Sequence, residues 1–292
     1  MTDKTKIIAA LPAYNEEKYI GTLVLKTKQY VDEVIVVDDG STDQTGDIAR
    51  LAGAIVIQHN RNKGKGASIQ TILAEAKERN PNILVLLDAD SQHNPDEIPS
   101  LIKAILDGYD LIIGSRVQQS SNIPRYRRIG QRVLSYFSRI LSGEKVADSQ
   151  CGFRALSLKA IAELKLTQSG FAVEAEMITA AAEKGLKITE VPISVIYTKD
   201  GSTLNPVRLG FGILAQILAM ISERRPLLLF GLFGFILTVV GLIAGARVLY
   251  TVSIGGGIAT GTALLSTSLL IIGIFSIFTG IILNVLAKRR KD

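Results

Sequence analysis

The first half of the chain alternates short apolar runs with stretches whose apolar residues recur at helical spacing. The continuous apolar runs predict β-strands at residues 6–11, 33–37, 54–58, 82–87 and 110–115. The stretches between them predict helices at residues 16–28, 44–52, 66–79 and 96–106. Apolar strands separated by helices are typical of a mostly parallel sheet that is covered on both faces. The pattern therefore predicts an α/β domain with its ligand site beyond the carboxyl ends of the strands.

The pattern changes after Pro226. Residues 227–246 contain no charged side chain, and neither do residues 263–287. Each segment is long enough to cross a bilayer core of about 30 Å as a helix. The sequence therefore predicts two transmembrane helices, at about 227–249 and 263–287.

Basic residues flank the two apolar segments. The letters "SERRP" precede the first segment and "KRRKD" follow the second, whereas the predicted connecting loop contains only Arg247. The positive-inside rule then predicts a cell-membrane protein whose two ends lie in the cytoplasm. The predicted organisation is a cytoplasmic domain at 1–204, an amphipathic interface helix at 205–225 and a membrane domain at 226–292. A second basic amphipathic stretch, at 123–143, is expected either at the membrane interface or on the sheet.

Charge and composition narrow the possible partners. The net charge is +6 at pH 7, but the basic residues concentrate near the apolar segments, so a lipid bilayer is expected and a nucleic acid is not. Cys151 is the single cysteine, which excludes an intrachain disulfide and a cysteine-built metal site. Glycines spaced along the first apolar segment can pack helices within or between subunits, so a homo-oligomer stays open.

Polar clusters follow three of the predicted strands: "LPAYNEE" (11–17), "VDDGSTDQT" (37–45) and "LDADSQH" (87–93). Because the carboxyl ends of parallel strands share one edge, six acidic side chains are expected to crowd there: Glu16, Glu17, Asp38, Asp39, Asp88 and Asp90. Like charges repel unless a cation or hydrogen-bond donors offset them. Each cluster alone also suits a turn or a helix cap.

The pair of aspartates after the fourth predicted strand points to a divalent cation. Mg²⁺ and Mn²⁺ prefer oxygen ligands, and Mg²⁺ usually binds one or two carboxylates together with substrate phosphates. Asp88 and Asp90 provide such carboxylates, and Gln92 can add an amide oxygen.

The polar clusters and "GSR" (114–116), in this order and spacing, resemble an inverting family 2 glycosyltransferase of the GT-A fold. "CGFRA" (151–155), and "ERRP" before an apolar segment, are similar to the polyprenyl-phosphate glycosyltransferases, which include dolichyl-phosphate mannose synthase. The resemblance covers residues 5–226 closely and the membrane part in architecture only. It implies metal-dependent transfer of a hexose from a nucleotide sugar to dolichyl or another polyprenyl phosphate, for glycan assembly.

The resemblance also implies roles for the matching positions. The nucleotide would contact Pro12, Tyr14, Glu16, Asp39, Asp88 and Ala89. Asp88, Asp90 and Gln92 would hold Mg²⁺ or Mn²⁺, and Asp90 and Arg116 are expected to be catalytic. The acceptor phosphate would be bound by Arg116 and by Arg127 or Arg128, since the guanidinium fork pairs with phosphate oxygens. General attraction to anionic lipid would also account for Arg127 and Arg128. Glu174 and Glu176 are further candidates, although an exposed helix face would look identical.

Alternatives stay open beside this reading. Where dolichyl-phosphate mannose synthases usually carry "GESK", this chain keeps Gly201 and Ser202 but has Thr203, so UDP-glucose, UDP-N-acetylglucosamine and GDP-mannose are all possible donors. A processive polysaccharide synthase is disfavoured, because the chain contains no tryptophan and has only two predicted spans. A glycosyltransferase with another lipid acceptor, and a non-catalytic membrane-anchored scaffold that binds nucleotide sugars, are the remaining hypotheses.

Overall fold

A computed structural model describes residues 5–116, 135–168, 170–194, 212–222 and 225–289, with residues 137, 171, 213, 217 and 258 left out. The chain divides into two compact units, Met1–Leu214 and Ala215–Asp292. Arg127 and Arg128, and the segment that contains Thr203, lie outside the described residues. Of the two amphipathic stretches, residues 138–142 and 218–222 are helical.

The first unit is built on a seven-stranded sheet. Its strands are β1 (Ile7–Ala13), β2 (Glu33–Asp38), β3 (Ile55–Gln58), β4 (Ile83–Leu86), β5 (Leu111–Ser115), β6 (Arg154–Ser157) and β7 (Ile188–Pro192). Their order across the sheet is β3-β2-β1-β4-β6-β5-β7. β6 runs antiparallel to both of its neighbours, and all other pairs are parallel. The predicted, mostly parallel sheet is therefore confirmed.

Helices of the first unit follow the strands in the predicted order. They are α1 (Ile20–Thr27), α2 (Thr45–Leu51), α3 (Lys65–Arg79), α4 (Ile98–Leu106), α5 (Leu158–Glu163) and α6 (Val173–Glu183). The five predicted strands and four predicted helices are all present, with ends that differ by a few residues. β1, β2, β4 and β5 are apolar along nearly their whole length because they lie inside the sheet and contribute its buried core. This rigid sheet carries the loops that hold the polar clusters.

The second unit contains two long apolar helices. A π-helical turn (Leu227–Gly231) leads into α7 (Leu232–Ser253), and α8 spans Thr260–Arg289. Their apolar parts are 27 and 28 residues long with mean hydropathies of 2.7 and 2.6, so both helices are long and apolar enough to cross a membrane. Only 11% of the most apolar stretch of each segment is buried, whereas the core helix of a water-soluble domain is mostly buried. The prediction that Arg247 lies in the connecting loop is wrong, because α7 continues to Ser253.

Small and hydroxylated residues pack α7 against α8. A Cβ atom at Gly234 would lie 2.5 Å from the carbonyl oxygen of Gly273, so the two backbones touch there. The Ser266 hydroxyl donates to the carbonyl of Gly241, and the Ser276 hydroxyl donates to that of Phe230, both at 2.8 Å. Glycine contacts and interhelical hydrogen bonds are the usual means of helix association in lipid. Gly234 and Gly241 thus pack helices within the chain.

Candidate active site

The two aspartates that follow β4 lie at the carboxyl edge of the sheet. Asp88 and Asp90 are partly buried, and Ala89 between them is 3% exposed. Ser91 has a positive φ of 60°, which turns the chain sharply. The backbone amide of Gln92 then donates to Oδ1 of Asp90 at 3.1 Å. This compact turn fixes both carboxylates directly after a rigid central strand.

Asp88 is surrounded by cationic and small groups. Nζ of Lys65 lies 2.5 Å from its Oδ1, and Nε2 of His93 lies 3.6 Å from its Oδ2. The backbone of Gly152 packs on the carboxylate, since a Cβ atom there would lie 2.6 Å from Cγ of Asp88. Burial alone would raise the pKa of Asp88, but Lys65 and His93 outweigh burial and hold it well below its ordinary value. Asp88 is therefore an anion at neutral pH.

Asp90 and Glu16 are compensated less fully than Asp88. Burial and the neighbouring charge of Asp88 raise the pKa of Asp90 above its ordinary value. Burial, followed by the charges of Asp90, Asp43 and Asp88, raises the pKa of Glu16 to about 7. A carboxylate whose neighbours are also carboxylates ionises with difficulty unless a cation joins them. This edge of the sheet therefore carries a strong negative potential.

The loops after β1 and β2 are joined by hydrogen bonds. The Glu16 amide donates to the Thr45 hydroxyl at 2.8 Å, and the Thr42 amide donates to Oδ1 of Asn15 at 2.9 Å. Oε2 of Glu17 accepts from the Gln44 amide at 3.0 Å. These bonds hold the two loops side by side. Pro12 at the end of β1 is partly buried, and Tyr14 is 43% exposed at the surface of this region.

Asp39 has a more buried position than its predicted nucleotide role suggests. It is 4% exposed, and its carboxylate contacts three donors. Nδ1 of His59 bonds to Oδ1 at 2.7 Å, the Lys63 amide donates to Oδ1 at 3.0 Å, and the Gly64 amide donates to Oδ2 at 2.7 Å. Asp38, also buried, accepts from the Ser41 amide at 2.9 Å.

The six acidic side chains expected at this edge fall into two groups. Hydrogen-bond donors hold Glu17, Asp38 and Asp39 within their own loops. The charge of Asp88 raises the pKa values of Asp90 and Glu16 through space, and the charge of Asp90 also raises that of Glu16. Within the second group, Lys65 and His93 balance the charge of Asp88, whereas Asp90 and Glu16 are balanced less fully. Hydrogen-bond donors thus offset the charge of the first group, and a cation would offset the charge of the second.

The two glutamates of α6 have different surroundings. Glu174 is 4% exposed, and its Oε1 lies 2.7 Å from Nζ of Lys65, the residue that also contacts Asp88. Glu176 is 1% exposed and accepts from the Thr167 amide, the Thr167 hydroxyl and the Gln168 amide at 2.7–3.0 Å. Glu174 therefore belongs to the charged site, and Glu176 holds the loop before α6.

Arg116 is paired within the protein. Its Nε and Nη2 donate to the two carboxylate oxygens of Asp148 at 2.5 and 2.7 Å, and Glu190 in turn accepts from the backbone amides of Ala147 and Asp148. Burial would lower the pKa of Arg116, but the bonds to Asp148 outweigh burial and raise it. Among the described residues, none accepts a hydrogen bond from Nη1, which leaves that end of the guanidinium for a further anion.

Several residues of the site escaped the sequence reasoning. Lys65 stands in "NKGKGAS" (62–68), which matches neither a phosphate-loop pattern nor a dinucleotide fingerprint. Arg154 is 1% exposed and donates to the carbonyls of Ser149, Cys151 and Glu174 at 2.8–2.9 Å, which ties "CGFRA" to the start of α6. The signal for Arg154 and Gly152 was the motif itself, whose contacts the sequence does not reveal.

The donor set fits a hard divalent cation. Within the described residues, no group of three or more His, Cys, Asp or Glu side chains forms a complete metal site. Asp88 and Asp90 offer two carboxylates, which is the number that Mg²⁺ typically takes from a protein while phosphates and water fill the remaining positions. Burial and neighbouring carboxylates raise the pKa values of Asp90 and Glu16, and a cation bound there would favour their ionised forms. The site therefore suits a cation that arrives together with a phosphate-bearing ligand.

Known proteins resemble this chain in sequence and in fold. The family model described as glycosyl transferase family 2 matches residues 9–165. The UDP-N-acetylglucosamine–dolichyl-phosphate N-acetylglucosaminyltransferase of Methanococcus voltae is 35% identical over 246 residues, which cover 75% of this chain and 97% of that protein. The undecaprenyl-phosphate mannosyltransferase of Micrococcus luteus is 30% identical over 211 residues, which cover 68% of this chain and 86% of that protein.

Among solved structures, a similar fold is found in glucosyl-3-phosphoglycerate synthase from Mycobacterium tuberculosis in complex with Mn²⁺, uridine diphosphate and glucosyl-3-phosphoglycerate. The TM-score is 0.61 at 24% identity, and the match covers 74% of this chain and 80% of that one. At this identity the likeness concerns the fold. The GT-A architecture expected from the sequence is confirmed.

Proposed function

This chain belongs to glycosyl transferase family 2, and from that premise we propose that it transfers a hexose from a nucleoside diphosphate sugar to dolichyl or another polyprenyl phosphate. The observation that carries the proposal is the Asp88–Asp90 turn, which holds two carboxylates directly after the central strand β4. Two relatives at 35% and 30% identity bear names that specify polyprenyl-phosphate acceptors. The apolar hairpin of α7 and α8 would anchor the enzyme where such an acceptor resides.

The donor would bind across the carboxyl ends of β1, β2 and β4. We assign Pro12, Tyr14, Glu16 and Asp39 to the base and ribose, Asp39 acting through the loop that it holds, and Asp88 and Ala89 to the diphosphate. Asp88, Asp90 and Gln92 would hold Mg²⁺ or Mn²⁺, and a solved structure of the same fold contains Mn²⁺ together with uridine diphosphate. When bound, the cation supplies Lewis-acid neutralisation of the charge on the leaving diphosphate.

The acceptor supplies its own nucleophile. A phosphate monoester has a second pKa of about 6, so its oxygen is largely ionised at neutral pH and no strong general base is required. This oxygen forms the new bond to the anomeric carbon on the face opposite the diphosphate, the bond to the diphosphate breaks, and the configuration inverts. Asp148 fixes the plane of the Arg116 guanidinium, and we assign Nη1 of Arg116 to a phosphate oxygen of the acceptor. Arg127 and Arg128 are assigned to the same phosphate from the family resemblance.

The membrane side of the reaction follows from charge. "SERRP" and "KRRKD" flank the two apolar segments, and the positive-inside rule then favours a cytoplasmic position for the sheet domain. Positioning and charge compensation would supply most of the rate enhancement, as expected for a reaction whose nucleophile is already ionised.

The donor sugar is the sharpest point to test, because the two relatives carry names with different sugars. Full-length protein in detergent would be assayed with Mn²⁺, dolichyl phosphate and labelled UDP-N-acetylglucosamine, UDP-glucose or GDP-mannose in parallel. We expect a chloroform-soluble product from one donor, and none from Asp90→Ala protein that retains its circular dichroism spectrum. Donor hydrolysis without lipid product would overturn the acceptor assignment. Donor binding without any turnover would favour a nucleotide-sugar-binding scaffold.

A further inference from the structure

One ammonium group bridges two acidic side chains from distant parts of the sheet domain. Nζ of Lys65 lies 2.5 Å from Oδ1 of Asp88 and 2.7 Å from Oε1 of Glu174. The side chains of Lys65 and Glu174 are only 14% and 5% exposed. Apart from Lys65, no donor among the described residues bonds to the Glu174 carboxylate. Glu174 is thus a buried carboxylate whose counter-charge is the same ammonium that occupies Asp88.

The position of this ammonium is fixed at both ends. Lys65 is the first residue of α3, and the preceding Gly64 adopts a φ of 89° while its amide donates to Asp39. On the other side, the backbone carbonyl of Glu174 accepts from the buried guanidinium of Arg154 at 2.8 Å. The backbone beside Lys65 is therefore fixed, and the lysine that contacts Asp88 is not a mobile surface side chain.

A divalent cation and an ammonium group compete for the same carboxylate oxygen. Asp88 needs a positive partner, because burial of an unpaired carboxylate is costly. A cation between Asp88 and Asp90 would also be repelled by an ammonium in contact with Asp88. Glu174 offers the ammonium a second, already formed contact, so Lys65 can give up Asp88 without becoming an unpaired buried charge.

We propose that Lys65 is the internal counter-ion of the metal site. Its ammonium forms an ion pair with Asp88 in the metal-free enzyme and keeps its ion pair with Glu174 when the cation binds. Glu174 is then a positioning residue that sets metal affinity by holding the ammonium away from Asp88. This inference rests on the proposed metal-dependent function. It assigns to the buried Lys65–Glu174 pair the control of how tightly the free enzyme binds its cation.

Mn²⁺ binding, followed by electron paramagnetic resonance on full-length protein in detergent, tests the proposal without any turnover. Removing the competing charge in Lys65→Met should tighten Mn²⁺ binding about tenfold, because the cation no longer displaces an ammonium. Glu174→Gln should weaken binding by a similar factor, because Lys65 then loses the carboxylate that draws its ammonium away from Asp88. The double variant restores the original net charge and should lie between the two single variants.

Two controls separate competition from other effects. Lys63→Met removes an exposed positive charge two residues away and should change Mn²⁺ affinity less than about twofold, since exposed charges are screened. Lys65→Arg keeps the charge and should not tighten binding. A Lys65→Met protein with unchanged or weaker Mn²⁺ affinity, while wild-type protein binds Mn²⁺ normally, would overturn the counter-ion role alone. Wild-type protein that binds no Mn²⁺ would overturn both this role and the proposed metal dependence.

Discussion

Gly152→Ala is the substitution that most directly tests the geometry of the site. Gly152 precedes β6, and its α-carbon faces the carboxylate of Asp88 across a gap that leaves no room for a methyl group. A Cβ atom there would lie 2.6 Å from Cγ of Asp88 and closer still to both carboxylate oxygens. Ordinary contact begins at 3.4 Å, so the carboxylate oxygens, which are nearer than Cγ, have to retreat by about 1 Å.

The size of the effect follows from that displacement. A misplacement of about 1 Å in a reacting constellation can cost on the order of 10²-fold in rate, which corresponds to about 2.7 kcal/mol in the activation free energy. The backbone of Gly152 does not have a positive φ, so alanine adds no backbone strain there. We therefore expect kcat/KM to fall by about 10²-fold, and Mn²⁺ affinity to fall with it.

The assay compares lipid-product formation and Mn²⁺ binding in Gly152→Ala with those in Gly185→Ala. Gly185 has a φ of 64° and open space around its α-carbon, so alanine there costs about 1–2 kcal/mol of folding stability without touching the site. Gly185→Ala should melt at a lower temperature yet keep its turnover. Wild-type turnover and Mn²⁺ affinity in Gly152→Ala would refute the reasoning, because the carboxylate would then have moved without consequence.

Two further predictions concern acidic residues. Between pH 4.5 and about 7 the folded protein binds more protons at Glu16 than the unfolded chain does, so the Glu16 contribution to stability is lost as the pH rises through that window. Without metal, Glu16→Gln should therefore melt at a higher temperature than wild type at pH 8 and close to the wild-type temperature at pH 4.5. An equal difference at both pH values in calorimetry would contradict the raised pKa of Glu16. Glu176→Gln leaves a backbone donor of the Thr167–Gln168 loop unsatisfied and should lower the free energy of unfolding by about 1–3 kcal/mol. Its Mn²⁺ affinity should change less than about twofold. A loss of affinity as large as that of Glu174→Gln would show that Glu176 belongs to the metal site.

The sequence predicts the strands that are continuous apolar runs and misses β6, an inner strand whose burial depends on tertiary contacts. β1 and β4 are continuous apolar runs because helices cover both faces of a parallel sheet. β6 is only four residues long. Its first residue is Arg154, and arginine rarely appears in a protein core. Its burial depends on three carbonyl groups from Ser149, Cys151 and Glu174, and no local pattern reports such partners.

The site divides along the same line. Asp88 and Asp90 are predictable because they immediately follow a predicted strand, and the edge of a parallel sheet is a known place for ligands. Lys65 and Glu174 are 109 positions apart in the chain and meet only through the packing of α3 and α6 near β4. The same holds for Asp39, whose turn-like motif gave no indication that it would hold the Lys63–Gly64 backbone.

The reversed direction of β6 has a consequence for how the nascent chain matures. Because β6 is antiparallel to β4, its first residue pairs with Leu86 at the end of β4, and the segment just before it reaches Asp88. Strands β1 to β4 can pair as soon as Leu86 has left the ribosome, but β4 then keeps an open edge until Ser157 has been made. Contacts of such long sequence separation form slowly. The surroundings of Asp88 are therefore completed only after β6 has joined the sheet, and a half-synthesised domain has an exposed strand before it has a finished site.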